Sequence, residues 1–192
     1  MKTIVIFASG NGTNAARIAE YFSNTQGIAL RAIFCNQPGA YVLERAKQAG
    51  IPTVLFTREA LYHNGEVLQK LQGLSPDLIV LAGFMWLIPD PLLKAFPHRI
   101  LNIHPALLPA YGGKGMYGMH VHNAVIANKE KESGITIHLV NEKYDAGDIL
   151  FQAKCSVAPE DTPESLAQKI HALEYKNFPE VIESYLRQVS NS

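Results

Sequence analysis

The sequence predicts an α/β fold: a mostly parallel, twisted sheet with helices on both faces, formed as a single domain over residues 1–192. Two observations carry that expectation. Apolar runs of about five residues alternate with longer segments of helical period, as strands and crossover helices do in βαβ units. The chain also shows no internal repeat, low-complexity stretch or interdomain linker, and its 192 residues are enough to bury one sizeable core without metals or disulfides.

Strands are expected at Thr3 to Ala8, Leu30 to Asn36, Thr53 to Phe56, Leu78 to Ala82 and Ile100 to Ile103. The helical segments between them are Thr13 to Ser23, Tyr41 to Ala49, Glu66 to Leu74 and Pro91 to Ala95. After His104 the rhythm changes. The stretch Pro105 to Met119 carries four glycines and two prolines, too long for a mere connector and suited to a binding loop. A helix near Val121 to Asn128 follows, then strands at Ile135 to Val140 and Ile149 to Ser156, joined through Asn141 to Asp148. In the first of these Ile135, Ile137 and Leu139 alternate with Thr136, His138 and Val140, the pattern of a half-buried strand. A final helix starts near Thr162, where Thr162-Pro163-Glu164 supplies an N-cap, a proline at the first helical position and an early acid.

Seventeen basic and seventeen acidic side chains cancel, which removes any global electrostatic case for nucleic acid or an anionic membrane. An anionic ligand must be met by local geometry. The apolar run Ile4 to Ala8 is too short for a signal segment or a membrane span, so a cytoplasmic protein is expected. Cys35 and Cys155 fall in strand-like segments and read as reduced core thiols.

Three places at the carboxyl ends of the expected parallel strands carry chemistry, and ligands gather at such ends. The first is Ser9-Gly10-Asn11-Gly12-Thr13-Asn14-Ala15, a turn from strand to helix whose free N–H groups suit a phosphate. Its G-x-G-x-x-A spacing invites a dinucleotide reading, but the second strand ends Phe34-Cys35-Asn36-Gln37 with no acid for a ribose hydroxyl. No Gly-Lys-Ser/Thr follows either, which excludes a P-loop. A phosphate ester is preferred, with a plain glycine turn as the alternative. The second place is Gly83 to Ile88.

The third is Leu101-Asn102-Ile103-His104-Pro105, where Asn102 and His104, two apart on a strand, address one face. A carboxamide donor beside an imidazole suits acyl chemistry. Asp145, in the glycine-containing turn Tyr144 to Asp148, is the matching acid: beside His104 it would orient the ring and favour its charged form. Taken singly, Asn102 and Asp145 are equally well turn formers and His104 a satisfied histidine before proline. His120 and His122 lack the i, i+4 spacing of a helical metal pair, so no metal is expected. His63, His98 and His171 read as surface or packing residues.

The strings SGNGTN at Ser9 to Asn14, LERAKQAGI at Leu43 to Ile51, VLAGFM at Val80 to Met85 and LNIHPALLP at Leu101 to Pro109 resemble the glycinamide ribonucleotide (phosphoribosylglycinamide) formyltransferase family. ESGITIH at Glu132 to His138, YDAGDIL at Tyr144 to Leu150 and HALEYKNFP at His171 to Pro179 extend the resemblance over nearly the whole chain. It implies a Rossmann-like formyltransferase fold with its C-terminal strands partly antiparallel. The implied reaction moves a formyl group from 10-formyltetrahydrofolate, as co-substrate, to the amine of glycinamide ribonucleotide, the third step of de novo purine (IMP) synthesis. No metal or nicotinamide enters it, and the implied partners are small molecules, in a monomer or homodimer.

By motif, the resemblance makes Asn102, His104 and Asp145 the catalytic trio. Gly12, Thr13, Asn14 and Glu174 fall in the ribonucleotide site. Met85, Trp86, Leu87 and Ile88, then Asn141, Glu142, Lys143, Tyr144 and Asp145, match the folate-binding stretches, with Asn102 shared. Arg58 matches a folate-contacting arginine across a loop of different length. Two departures stand out. Trp86 occupies a position where bacterial relatives often carry arginine, and reads either as a wall against the pterin or its linker or as a partly exposed apolar residue. Gly112 to Gly118 is longer than the usual link, and its Lys114 reads as a phosphate contact or as part of a solvated loop.

Without a serine or cysteine nucleophile in a suitable motif, direct transfer is expected, with Asn102 and His104 taking the developing oxyanion and His104 handling the proton. Other formyl-folate enzymes, a formyltetrahydrofolate hydrolase among them, are the alternative reading. A non-enzymatic α/β binding module would explain the glycine loop but not the trio.

Overall fold

Seven strands form one sheet in the order β3-β2-β1-β4-β5-β6-β7, and a computed structural model describes residues 1–189. The strands are β1 (Lys2–Ala8), β2 (Ile28–Cys35), β3 (Thr53–Leu55), β4 (Leu78–Leu81), β5 (Ile100–His104), β6 (Glu132–Leu139) and β7 (Ile149–Ser156). The first five pair in parallel, while β6 and β7 run antiparallel to their neighbours. This is the mixed sheet expected. Strand β5 is therefore the junction, parallel to β4 on one side and antiparallel to β6 on the other.

Helices cover both faces because each strand's alternate residues feed a different core. On one face Ile4, Ile6, Leu101, Ile103 and Ile137 pack under α1 (Thr13–Ser23), α2 (Tyr41–Gln48), α6 (Met119–Ala127) and α7 (Pro163–Val189). On the other, Val5, Phe7, Phe34, Ile79 and Ile100 meet α3 (Arg58–Tyr62), α4 (Glu66–Leu74) and α5 (Asp90–Ala95). Phe7 and Phe34 stack across β1 and β2 with centroids 5.0 Å apart. Fully burying such a side chain stabilises the fold by about 1.5–3 kcal/mol.

Helix α7 shows its burial in its spacing. Leu166, Ile170, Glu174, Phe178, Ile182 and Leu186 recur every fourth residue and are all buried. One carboxyl thus interrupts an apolar stripe.

Several element limits shift by a residue or two, β2 for instance beginning at Ile28 rather than Leu30, and three differences bear on the fold. Helix α3 was not expected, because five residues are too few to show a period; the Thr57 hydroxyl caps it, accepting from the Ala60 N–H at 3.2 Å. Strand β6 begins at Glu132 rather than Ile135, since its first residues pair with the end of β7, Glu132 opposite Ser156. Helix α6 spans Met119–Ala127, starting two residues before Val121. Cys35 is buried as expected, whereas Cys155 on the edge strand is half-buried, and both are free thiols. Among the described residues no helix is long and apolar enough to cross a membrane.

Candidate active site

The carboxyl ends of β1, β4 and β5 open into a cleft of about 620 Å³. The β1–α1 turn forms one end. Gly12 caps α1 in the left-handed conformation, φ 72°, and a Cβ there would lie 2.4 Å from Val42 Cγ2 and 2.9 Å from the Val42 backbone. No side chain caps the helix and no acid stands in its first turn, so its leading amides are free for an anion. The turn is braced from behind: Val42 N donates to Gly10 O at 3.1 Å, and Arg45 grips the Asn11 carbonyl and side chain at 2.9 and 3.2 Å. In front, Met85 N donates to Ser9 Oγ at 3.1 Å, tying the β1 and β4 loops together.

Asn102 and His104 continue the row begun by Ile100, and the antiparallel register sets Asn102 opposite His138 and His104 opposite Thr136. Asn102 Nδ2 lies 3.1 Å from His138 Nε2 and 3.4 Å from Asp145 Oδ1. His138 Nδ1 donates to the Leu139 carbonyl at 2.8 Å, which leaves its Nε2 to accept from Asn102. His104 Nδ1 is 3.5 Å from Asp145 Oδ2, while its Nε2 donates to the Tyr111 carbonyl at 2.7 Å. Asp145 Oδ2 also accepts from Gly113 N at 3.0 Å. The trio expected from sequence is thus a quartet with His138. It also differs from expectation in one respect: both Asn102 N–H groups already face acceptors, so an oxyanion drawing on this amide must take the place of one of them.

Asp145 reaches the network through a tight turn with φ 52°. The turn is pinned at Gly147, where a Cβ would lie 1.7 Å from the Leu139 carbonyl oxygen. Burial pushes the Asp145 carboxyl up, but the His138 ring, the His104 charge and the Gly113 amide more than offset it, and the group stays below its ordinary value. His104 goes the other way from the sequence expectation. Its burial outweighs the pull of Asp145 and the Tyr111 carbonyl, so the imidazole sits below its ordinary value. The ring therefore begins neutral near pH 7, as a proton acceptor.

Beyond the quartet, His122 and Glu174 line the cleft next to the anion turn. His122 is 2% exposed, its Nδ1 has no partner, and burial first, then His171 and His104, push it down to about 4. Asn14 Nδ2 donates to Glu174 Oε2 at 2.9 Å. Burial lifts the Glu174 carboxyl to about 7 against that hydrogen bond. A carboxyl that keeps its proton to about 7 when folded, but releases it near its ordinary 4.5 when unfolded, lowers stability as pH rises through that window. Glu174→Gln, which still accepts from Asn14, is expected to stabilise the fold at about pH 8 by up to roughly 2–3 kcal/mol and to change nothing at about pH 4. Thermal melts at the two pH values check this; equal melting temperatures at about pH 8 would count against a protonated Glu174.

The formyl transferase family matches residues 2–182 of the chain. The chain belongs to the formyl transferase family. A chloroplastic phosphoribosylglycinamide formyltransferase of Arabidopsis thaliana is 41% identical over 188 residues, 94% of this chain and 64% of that protein, so the chain spans less than two thirds of that relative. The phosphoribosylglycinamide formyltransferase of Bacillus subtilis is 37% identical over 97% of this chain and 95% of its own. Among solved structures, glycinamide ribonucleotide transformylase 1 from Symbiobacterium toebii superposes with a TM-score of 0.89 at 34% identity, over 98% of this chain and 89% of that one.

On this formyl transferase framework most of the residues singled out from sequence converge. Gly12, Thr13, Asn14, Met85, Trp86, Leu87, Asn102, His104, Lys143, Tyr144, Asp145 and Glu174 all line the cleft, as does Lys114 of the long glycine loop. Four do not. Ile88 is 2% exposed in the core under α3 to α5. Asn141 braces its own turn, donating to the Ala146 carbonyl and accepting from Lys143 N, both at 3.0 Å, and Glu142 lies beside it outside the cleft lining. Arg58 is exposed outside the cleft lining, its guanidinium 4.9 Å from the Tyr62 ring and 5.6 Å from Trp86. Trp86 is half-buried against Phe56, Tyr62 and Phe84. His171, expected as a surface or packing residue, also lines the cleft, stacked on Tyr175. Among the described residues no group of three or more histidine, cysteine or acidic side chains is placed to hold a metal ion.

Proposed function

We propose that this protein transfers the formyl group of 10-formyltetrahydrofolate to the amine of glycinamide ribonucleotide, the third step of de novo purine synthesis. The observation that carries it is the meeting, in one cleft, of an uncommitted helix N-terminus beside Asn14 and Glu174 with the Asn102, His104, His138 and Asp145 network. The names of the relatives support the same reading. The first site suits a phosphorylated substrate; the second suits acyl transfer.

In this reading Gly12, Thr13 and Asn14 hold the phosphate through backbone N–H groups, and Glu174 meets the ribonucleotide nearby. Met85, Trp86, Leu87, Lys143 and Tyr144 receive the folate, with Arg58 at the outer edge. The neutral amine attacks the formyl carbon, forming the new C–N bond and a tetrahedral oxyanion. His104 Nδ1 takes the amine proton, and the imidazolium so formed is stabilised by Asp145. The Asn102 amide and that imidazolium stabilise the oxyanion. Collapse breaks the bond to the folate nitrogen, which leaves with the proton from His104.

The test is an assay with both substrates that follows deformylated folate and formylated ribonucleotide together, with fluorescence of Trp86, the one tryptophan in the chain, reporting folate binding. Equal release of both products, and quenching by the folate alone, are expected. Formate release without an acceptor would instead identify a formyltetrahydrofolate hydrolase.

A further inference from the structure

We propose that Tyr111 is a positioning residue for His104: its carbonyl oxygen, locked from outside the cleft by Glu130 and Asn128, selects the imidazole nitrogen presented to the reactants. The inference rests on the formyl-transfer reading for its kinetic arm only.

Tyr111 itself does not line the cleft. Its carbonyl accepts from His104 Nε2 at 2.7 Å, the shortest contact the imidazole makes. Accepting there forces the proton of the neutral ring onto Nε2 and leaves the Nδ1 lone pair beside Asp145 Oδ2. Nδ1 is then the nitrogen that gains a proton, and it does so where a carboxylate stabilises the product. Had Nε2 been free, the neutral ring would place its proton on Nδ1 toward Asp145 and turn its basic nitrogen away from the acid.

The carbonyl is aimed by a backbone conformation that a tyrosine does not choose unaided. Tyr111 has φ 56°, in the left-handed region, at a cost of about 1 kcal/mol for a residue with a side chain. Its side chain offsets that. The hydroxyl donates to Glu130 Oε1 at 2.7 Å and accepts from Asn128 Nδ2 at 2.9 Å, and the ring packs against the core beneath α6 and α7. Glu130 and Asn128 are exposed residues just beyond the end of α6, and neither lines the cleft. A surface clamp therefore sets the state of a buried histidine.

Two readouts test this. In the protein without substrates, NMR of the histidine ring nitrogens is expected to show His104 protonated at Nε2 when neutral. The groups facing it are Asp145 from the β6–β7 turn, His138 from β6 and His122 from α6. Tyr111→Phe keeps the ring and removes the clamp, and is expected to lower the titration midpoint of His104 by about half a unit, because the carbonyl favours the charged ring. With substrates, kcat is expected to fall roughly five- to tenfold with both KM values within about twofold, and the acidic limb of the pH–rate profile should move with the NMR midpoint. Glu130→Ala should reproduce these changes, Glu130→Gln, which keeps an acceptor oxygen, should largely restore the wild type, and Tyr111→Phe with Glu130→Ala should be no worse than either alone. An unmoved His104 midpoint in both Tyr111→Phe and Glu130→Ala overturns the proposal, as does an Nδ1-protonated neutral ring. Because the NMR arm needs no turnover, it stands or falls apart from the assignment of the reaction.

Discussion

His104→Ala is expected to lower kcat by about 10²- to 10³-fold while ribonucleotide binding stays within a few-fold of wild type. The separation follows from distance along the cleft: the anion turn is braced by Val42, Arg45 and Ser9, none of which depends on the imidazole. Asp145→Asn should approach the same loss. It keeps an acceptor for Gly113 N but removes the charge that stabilises the imidazolium, and it offers no carboxylate to the Asn102 amide. Steady-state kinetics with equilibrium binding of the ribonucleotide decide the matter; near-normal turnover in either variant removes these residues from the mechanism. An Asp145→Asn protein that also loses its fold would be recognised by a lowered melting temperature.

Gly12→Val is expected to weaken the ribonucleotide about 10²-fold or more and the folate little. Any Cβ at this position collides with the backbone of Val42, and a β-branched residue is additionally strained at φ 72°. The turn must move, and the free amides at the start of α1, the proposed phosphate contacts, move with it. Dissociation constants for the two substrates, measured separately, check the asymmetry. Equal losses would mean that α1 and α2 have come apart rather than that an anion site has been lost.

The sheet and the two ends of the cleft were legible because they follow from local pattern. Gly12 before Thr13, and Asn102 two residues from His104, are readable from spacing alone. His138 was not, although its place beside Thr136 in the alternating pattern of a half-buried strand was visible. What assigns it to the site is that Asn102 pairs with His138 and not with Thr136, a matter of register between strands separated by the whole long loop. The charge state of His104 is not legible in sequence for a related reason. Sequence suggests which groups are near, whereas the balance between Asp145 and desolvation depends on how completely the ring is covered, and His104 is 3% exposed. The same holds for the stretch expected to meet the folate: Met85 to Ile88 are consecutive, yet the fourth turns into the core. Glu174 entered only through the family resemblance; that it is the one carboxyl in an every-fourth-residue buried row of α7 came with the structure.

Strand β5 has one parallel and one antiparallel neighbour, and the chemistry of the site is built across that seam. A slip of one residue against either partner would turn Asn102 and His104 into the apolar core and bring Leu101 and Ile103 to the cleft. In register terms the two polar groups are moved together or not at all. Loss of the β5 register therefore removes the site outright, so a preparation in which β5 has slipped should lose activity as a falling fraction of active protein, whereas changes around an aligned β5, such as Tyr111→Phe, lower the turnover of each molecule.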